Sequence, residues 1–120
     1  MERDFDLIRR ILTDIENLPI GESLTKIKFP DYDMRTIDEH IFLLDSVGMI
    51  NMDTIKAQGG HKQYRITGLT WQGHDFLDAS RDDSIWKKAK ETVLKPSASI
   101  TFDLLLEWLK IQVKEKLGLP

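Results

Sequence analysis

The feature of this sequence that most constrains its fold is a change in the spacing of its apolar residues at Gly48. In residues 4–18 and again in residues 35–47, apolar side chains recur at steps of three and four, which is the period of a helix with one buried face. Beyond Gly48 the period becomes two, as in a half-buried strand. The sequence therefore predicts helices followed by a β-hairpin in a mixed α+β fold.

A tight hairpin is predicted between the strand-like runs 49–57 and 61–69. Gly59 and Gly60 lie between the two runs and supply the positive φ angles that such a turn requires. Gly48 directly precedes the first run and suits the left-handed conformation just beyond a helix C-terminus. The hairpin should therefore follow the second helix directly, with its tip projecting as a wing.

Further elements lie on either side of this pattern. Residues 22–30, where a helix-turn-helix normally has its second helix, alternate loosely and are predicted to be extended. Thr70 and Asp82 are residue types that cap helix N-termini. The helical period and these caps predict three more helices, at residues 71–79, 85–94 and 102–117.

This order of elements is typical of a winged helix. The predicted class is α/β of the α+β type: a winged helix with a degenerate second helix, a wing hairpin and an appended C-terminal helical segment. The predicted domains are a winged-helix domain at residues 1–95 and a C-terminal helix within residues 96–120. That last helix is expected to pack on the domain or on a partner subunit.

One block of sequence is similar to a known family. Residues 69–86 read LTWQGHDFLDASRDDSIW, and DFDLIRRILTDIE and HIFLLDSVGMI precede them in the chain. Together these segments resemble a domain-of-unknown-function family of bacteria and their phages, with LTWxGHxFLDxxRxxxxW as the most specific part. The resemblance implies a winged-helix-like fold and a mobile-element setting. It implies no activity and no catalytic residues.

Composition and charge exclude several classes of protein. The chain has 120 residues, of which 41% are hydrophobic and 31% charged, as expected for one soluble globular domain. It contains no cysteine, which excludes disulfides and thiolate metal sites. We see no signal-peptide pattern at the start and no apolar run long enough to cross a bilayer. A cytoplasmic protein without a membrane role is therefore expected.

No pattern in the sequence predicts catalysis. The three histidines, His40, His61 and His74, lack a second ligand at the spacing of a metal motif. We expect His40 and His74 to be structural. The carboxylates Asp82 and Asp83 lie where a helix is predicted to begin, and there they satisfy free backbone N–H groups. The sequence therefore predicts no enzyme, metal, cofactor or small-molecule substrate.

The predicted wing is the segment that favours nucleic-acid contact. The second helix does not, because residues 31–46 carry five carboxylates against Arg35, and the whole chain has a net charge of −3. Polar and basic side chains cluster about the wing, and the candidate contacts there are Lys56, Gln58, His61, Lys62 and Arg65. The alternative is that these lysines keep an exposed hairpin soluble.

The predicted last helix is apolar on two opposite sides. One side carries Phe102, Leu106, Leu109, Val113 and Leu117, and the other is the candidate protein interface, formed by Leu104, Trp108 and Ile111. One apolar face is enough to pack on a core, so the second favours a partner chain. The alternative is a helix wedged entirely within its own chain.

Two functions remain open at this point. The favoured one is a non-enzymatic interaction module that binds a protein partner or self-associates as a homodimer, with Trp108 as the anchor. The alternative is a DNA-binding transcriptional regulator that contacts DNA through the basic wing and dimerises on the last helix.

Overall fold

The computed structural model describes residues 2–56, 59, 62–95 and 99–120. Within this part of the chain five helices and a two-stranded antiparallel hairpin form, in the order α1 (Phe5–Glu16), α2 (Met34–Ser46), β1 (Ile50–Lys56), β2 (Lys62–Leu69), α3 (Trp71–Ala79), α4 (Asp83–Thr92) and α5 (Phe102–Lys116). The predicted mixed α+β class is confirmed, and the arrangement is compatible with a winged helix.

The chain divides into two compact units, Met1–His74 and Asp75–Pro120, with the boundary inside α3. In this division α4 belongs with α5. The domain limits expected from the sequence, residues 1–95 and 96–120, stay a prediction. None of the described helices combines the length and apolar character that a membrane crossing needs.

In the first unit, α1 begins because Asp4 caps it. The Asp4 carboxylate accepts a hydrogen bond from the Leu7 N–H at 3.1 Å. One stripe of the helix is then buried, formed by Leu7, Ile8, Ile11, Leu12 and Ile15. These are the positions that helical spacing places on one face, so α1 follows directly from its sequence pattern.

The C-terminus of α2 is set by Gly48. Its φ of 75° is in the left-handed region, which glycine adopts without a Cβ clash. The Met49 N–H donates to the Leu44 carbonyl at 2.9 Å and the Gly48 N–H to the Asp45 carbonyl at 3.1 Å. The left-handed Gly48 confirms the prediction, and the two bonds form a Schellman motif from which the chain continues directly into β1.

The hairpin is joined by the predicted extended segment. β1 and β2 pair from Ile50 opposite Leu69 to Lys56 opposite Lys62. Ile66 also forms a two-way bridge with Leu24, with N–O distances of 2.9 and 2.8 Å. Residues 22–33 are all described, and no helix forms in them. The bridge at Leu24 agrees with an extended conformation at that residue, and an extended conformation of the rest of the stretch stays a prediction.

The second unit is built around Phe76, which is fully buried. Its ring meets Trp86 edge-on at a centroid distance of 6.4 Å and lies 4.9 Å from Phe102. Asp82 caps α4, since its carboxylate accepts from the Ser84 N–H at 2.9 Å. Thr101 caps α5 in the same way. α4 starts two residues before its predicted position and ends at Thr92.

Candidate interaction surfaces

The outer face of α5 is the first candidate surface and consists of Leu104, Trp108 and Ile111. Leu105 and Leu109, on the inner side, are fully buried. Leu104 and Ile111 are 54% and 53% exposed, and Trp108 is half-buried. The helix therefore has a buried apolar side and a second apolar side that faces solvent.

The inner side of α5 differs in detail from the sequence prediction. Leu117 was expected among the inward residues, but it is 67% exposed. It follows the last helical residue, where the chain turns off the helix at Gly118, whose φ is 69°. Leu105, which lies between the two predicted sides, is fully buried, so the inner face is centred nearer to it than expected.

One flank of the outer face carries a charged strip, defined as Asp103, Glu107, Lys110 and Lys114. All four side chains are exposed. At 100° per residue they span about 60° of the helix circumference. No ion pair joins them to any residue that the structure describes. The strip is thus acidic in the first half of α5 and basic in the second.

The other flank of α5 is held by α4. The Lys88 ammonium donates to the Gln112 side-chain carbonyl at 3.0 Å, and the Lys116 ammonium forms a close ion pair with Asp82. The hydrogen bond from Lys116 and that from Ser84 hold the pKa of the Asp82 carboxyl well below its usual range. Because these contacts occupy one flank, the charged strip is left on the open side.

The second candidate surface is a cleft of about 420 Å³ beside the hairpin, which we name the wing cleft. It contains Lys62 and Arg65 of the predicted wing contacts, together with Lys26 from the extended segment, and its full lining is Thr25, Lys26, Asp38, Ile55, Lys62, Gln63, Tyr64 and Arg65. Gln58, His61 and the side chain of Lys56 lie outside the described residues.

Carboxylates offset part of the positive charge of the wing cleft. Arg65 pairs with Asp53 of the neighbouring strand, with Nη2 and Oδ2 3.0 Å apart. The Tyr64 hydroxyl donates to Asp38 Oδ1 at 2.9 Å, and burial together with this bond raises the pKa of Tyr64 above its ordinary value. Neither Lys26 nor Lys62 forms an ion pair with a carboxylate among the described residues. They are the cations of the cleft best placed to meet an anion.

Of the two described histidines, His40 is structural and fully buried. Its Nε2 accepts the Asp4 N–H at 2.9 Å, and its Nδ1 lies 2.7 Å from the Thr36 carbonyl, to which it donates as the neutral Nδ1–H tautomer. Both ring nitrogens are therefore used. His74 is half exposed, 3.9 Å from a Glu16 carboxylate oxygen. Among the described residues, no three His, Cys, Asp or Glu side chains are grouped as metal ligands would be.

The block of sequence around residue 70 packs the end of β2 against the end of α2. The Thr70 hydroxyl donates to the Gly48 carbonyl at 2.6 Å and accepts the Gly73 N–H at 3.1 Å, so Thr70 caps α3 as predicted. The Thr70 N–H donates to the Met49 carbonyl at 3.1 Å. A Cβ atom on Gly73 would lie 2.1 Å from that carbonyl oxygen. Trp71, in contrast, is 80% exposed.

Comparison with known proteins assigns this sequence to a family. A family model described as "Hypothetical protein (DUF2513)" matches residues 2–99, which include α1 to α4. An uncharacterized protein of Haemophilus influenzae is 32% identical over 120 residues, covering 98% of this chain and 100% of the relative. No solved structure matches the chain. With its match over most of the chain, this protein belongs to the DUF2513 family, a domain of unknown function.

Proposed function

We propose that this protein is a non-catalytic bacterial interaction module that self-associates through the outer face of α5. The observation that carries the proposal is the solvent exposure of Leu104 and Ile111 on a helix whose opposite side is already packed. A helix needs one apolar face to join a core, and a second one in water is a liability unless a partner covers it. The absence of cysteine suits a cytoplasmic setting.

The apolar surface available on α5 is enough for a weak dimer. Burying Leu104, Trp108 and Ile111 would remove on the order of 300 Å² per chain, worth roughly 7 kcal/mol at about 25 cal/mol/Å². Burial of both outer faces then contributes roughly 15 kcal/mol, which exceeds or equals an association cost on the order of 4–15 kcal/mol. The total of roughly 600 Å² is below the range of about 1,200–2,000 Å² that stable interfaces bury, as expected for a weak, transient dimer. We therefore expect a dissociation constant in the micromolar range.

Charged substitutions on the outer face should produce a folded monomer. Ile111→Glu and Leu104→Glu place a carboxylate on side chains that are already half exposed, so neither buries a charge in the monomer, whereas in a dimer each would be desolvated. Trp108→Glu should also dissociate the dimer, with the largest loss of affinity, since large aromatics dominate interfaces. Light scattering on a sizing column measures the mass, and circular dichroism checks the fold.

Val47→Glu is the matched control, because Val47 is an apolar residue of α2's C-terminus that is 61% exposed. This variant should associate as the wild type does. A wild-type protein that stays monomeric up to roughly 200 µM, far above micromolar affinity, would contradict self-association. Unfolding of Ile111→Glu without a folded monomer would show that the helix belongs to the core alone.

A second candidate function is nucleic-acid binding through the wing cleft. The observation that favours it is the position of Lys26 beside Lys62, which adds a cation that the hairpin sequence does not contain. The acidic α2 and the Arg65–Asp53 pair count against this function.

Reversing the wing charges should abolish any duplex binding. In Lys56→Glu/Lys62→Glu/Arg65→Glu, phosphates would meet carboxylates, and Lys26→Glu alone should weaken binding severalfold. A gel-shift titration with random duplex DNA at low salt measures both, with Lys87→Glu on α4 as the control for net charge. Binding that survives the triple change but is lost in Arg35→Ala would assign the contact to α2 instead.

A further inference from the structure

We infer that the partner of the outer face of α5 is the α5 helix of a second copy, lying antiparallel about a two-fold axis between Trp108 and Leu109. This inference rests on the proposed self-association and adds its orientation. The observation behind it is the order of charges along the charged strip, which runs Asp103, Glu107, Lys110, Lys114. Acidic residues lie in the first half and basic residues in the second.

The position of the strip on one flank selects the antiparallel arrangement. When two helices pack antiparallel across a two-fold axis, each flank faces the same flank of the other copy. The residues of the two facing flanks then follow one another in opposite directions. In a parallel pair each flank faces the opposite one. Here the opposite flank carries Gln112 and Lys116, which contact Lys88 and Asp82, instead of a complementary strip. Only the antiparallel copy brings the strip against itself.

The spacing of the strip fits one axis position. Asp103 and Lys114 lie at equal distances along the sequence from the point between Trp108 and Leu109, and so do Glu107 and Lys110. A two-fold axis at that point sets Asp103 level with the partner copy's lysine at position 114, and Glu107 level with that at position 110. Four ion pairs form in the dimer. Trp108 then lies next to the axis, where interface anchors concentrate.

Like charges lie close together within the charged strip of a single α5 helix. Asp103 and Glu107 are four residues apart, as are Lys110 and Lys114, and like charges at this spacing destabilise a helix. An antiparallel copy places opposite charges beside each of these pairs. Within one helix the pair Glu107 and Lys110, three residues apart, is favourable, and Asp103 in the first turn and Lys114 in the last suit the helix dipole. The antiparallel copy therefore relieves only the two like-charge pairs, and the apolar outer face supplies most of the affinity.

Charge exchange tests the orientation. The all-basic strip Asp103→Lys/Glu107→Lys and the all-acidic strip Lys110→Glu/Lys114→Glu should each weaken self-association at least tenfold, because every facing pair becomes repulsive. Mixed in equal amounts, the two variants should associate as tightly as the wild type. The fourfold exchange, which inverts the strip, should recover self-association and should not pair with the wild type. Sedimentation velocity measures all of these, and circular dichroism confirms the helix content.

The outcomes separate the orientation from the association itself. If both double variants dimerise like the wild type while Ile111→Glu is monomeric, α5 is the interface and the antiparallel pairing is wrong. If the fourfold exchange pairs with the wild type as well as it pairs with itself, the two strips do not face each other in the dimer and the antiparallel pairing is wrong. If neither the wild type nor any mixture associates, both this inference and the proposed function fail. Loss of the differences in roughly 1 M salt would support the ion pairs.

Discussion

Gly73→Ala should be among the most destabilising single substitutions in this chain, lowering the free energy of unfolding by about 3 kcal/mol. In an open helix the same change stabilises by roughly 1 kcal/mol, because alanine has the higher helix propensity. Here the new Cβ would lie 2.1 Å from the Met49 carbonyl oxygen and 3.3 Å from the Leu69 Cβ. Both neighbours are buried at the ends of the hairpin, so α3 must shift away from them.

Gly68→Ala is the matched control for this prediction. Gly68 lies on β2, and a Cβ added there meets nothing within 4 Å, so its replacement should change stability by less than about 0.5 kcal/mol. Urea unfolding followed by circular dichroism measures both variants. Equal stability of the two alanine variants would show that α3 does not approach the end of α2 as closely as described.

His40→Ala should lower the free energy of unfolding by about 3 kcal/mol. The substitution leaves a cavity at a fully buried position and removes the acceptor of the Asp4 N–H. Because Asp4 also caps α1 and accepts from the Tyr32 hydroxyl at 2.8 Å, the loss extends to the start of that helix. His40→Gln, whose side-chain carbonyl can accept the same N–H, should recover part of the stability.

The control for His40 is His74→Ala. His74 is half exposed, and its contact with Glu16 is an open surface pair at 3.9 Å, so its loss should change stability by less than about 0.5 kcal/mol. Chemical unfolding at neutral pH measures the three variants side by side. A stable His40→Ala protein would contradict the structural role of His40. An unstable His74→Ala protein would contradict the assignment of His74 to the surface.

The local elements of this fold are predictable because their signals are local. Helix period and caps place α1, α2, α3 and α5 within a residue or two of their observed limits. Gly48 predicts the end of α2, since glycine readily adopts the left-handed conformation in which the next N–H groups bond to the last carbonyls of the helix. Asp82 predicts the start of α4, because its carboxylate accepts hydrogen bonds from the first free N–H groups of the helix. The helix begins at Asp83, two residues before its predicted start.

The surfaces are less predictable because they depend on contacts between distant residues. Lys26 joins the wing cleft only because Leu24 bridges Ile66, 42 positions further along the chain. The pairing of Arg65 with Asp53 follows from the strand register, which a bulge between Asn51 and Met52 shifts. On α5 the period predicts two apolar sides, but neighbouring helices decide how far each is buried.

A distance between two copies of α5 tests the central claim most directly. The chain contains no cysteine, so Leu117→Cys, at an exposed position beside α5, accepts a single spin label. At 1.5 Å per residue and an interaxial distance of 8–10 Å, an antiparallel dimer predicts labels roughly 25–30 Å apart in a double electron–electron resonance experiment. Adding Ile111→Glu should abolish that distance. A sample at roughly 200 µM, well above micromolar affinity, that shows no distance between labels would contradict a shared α5.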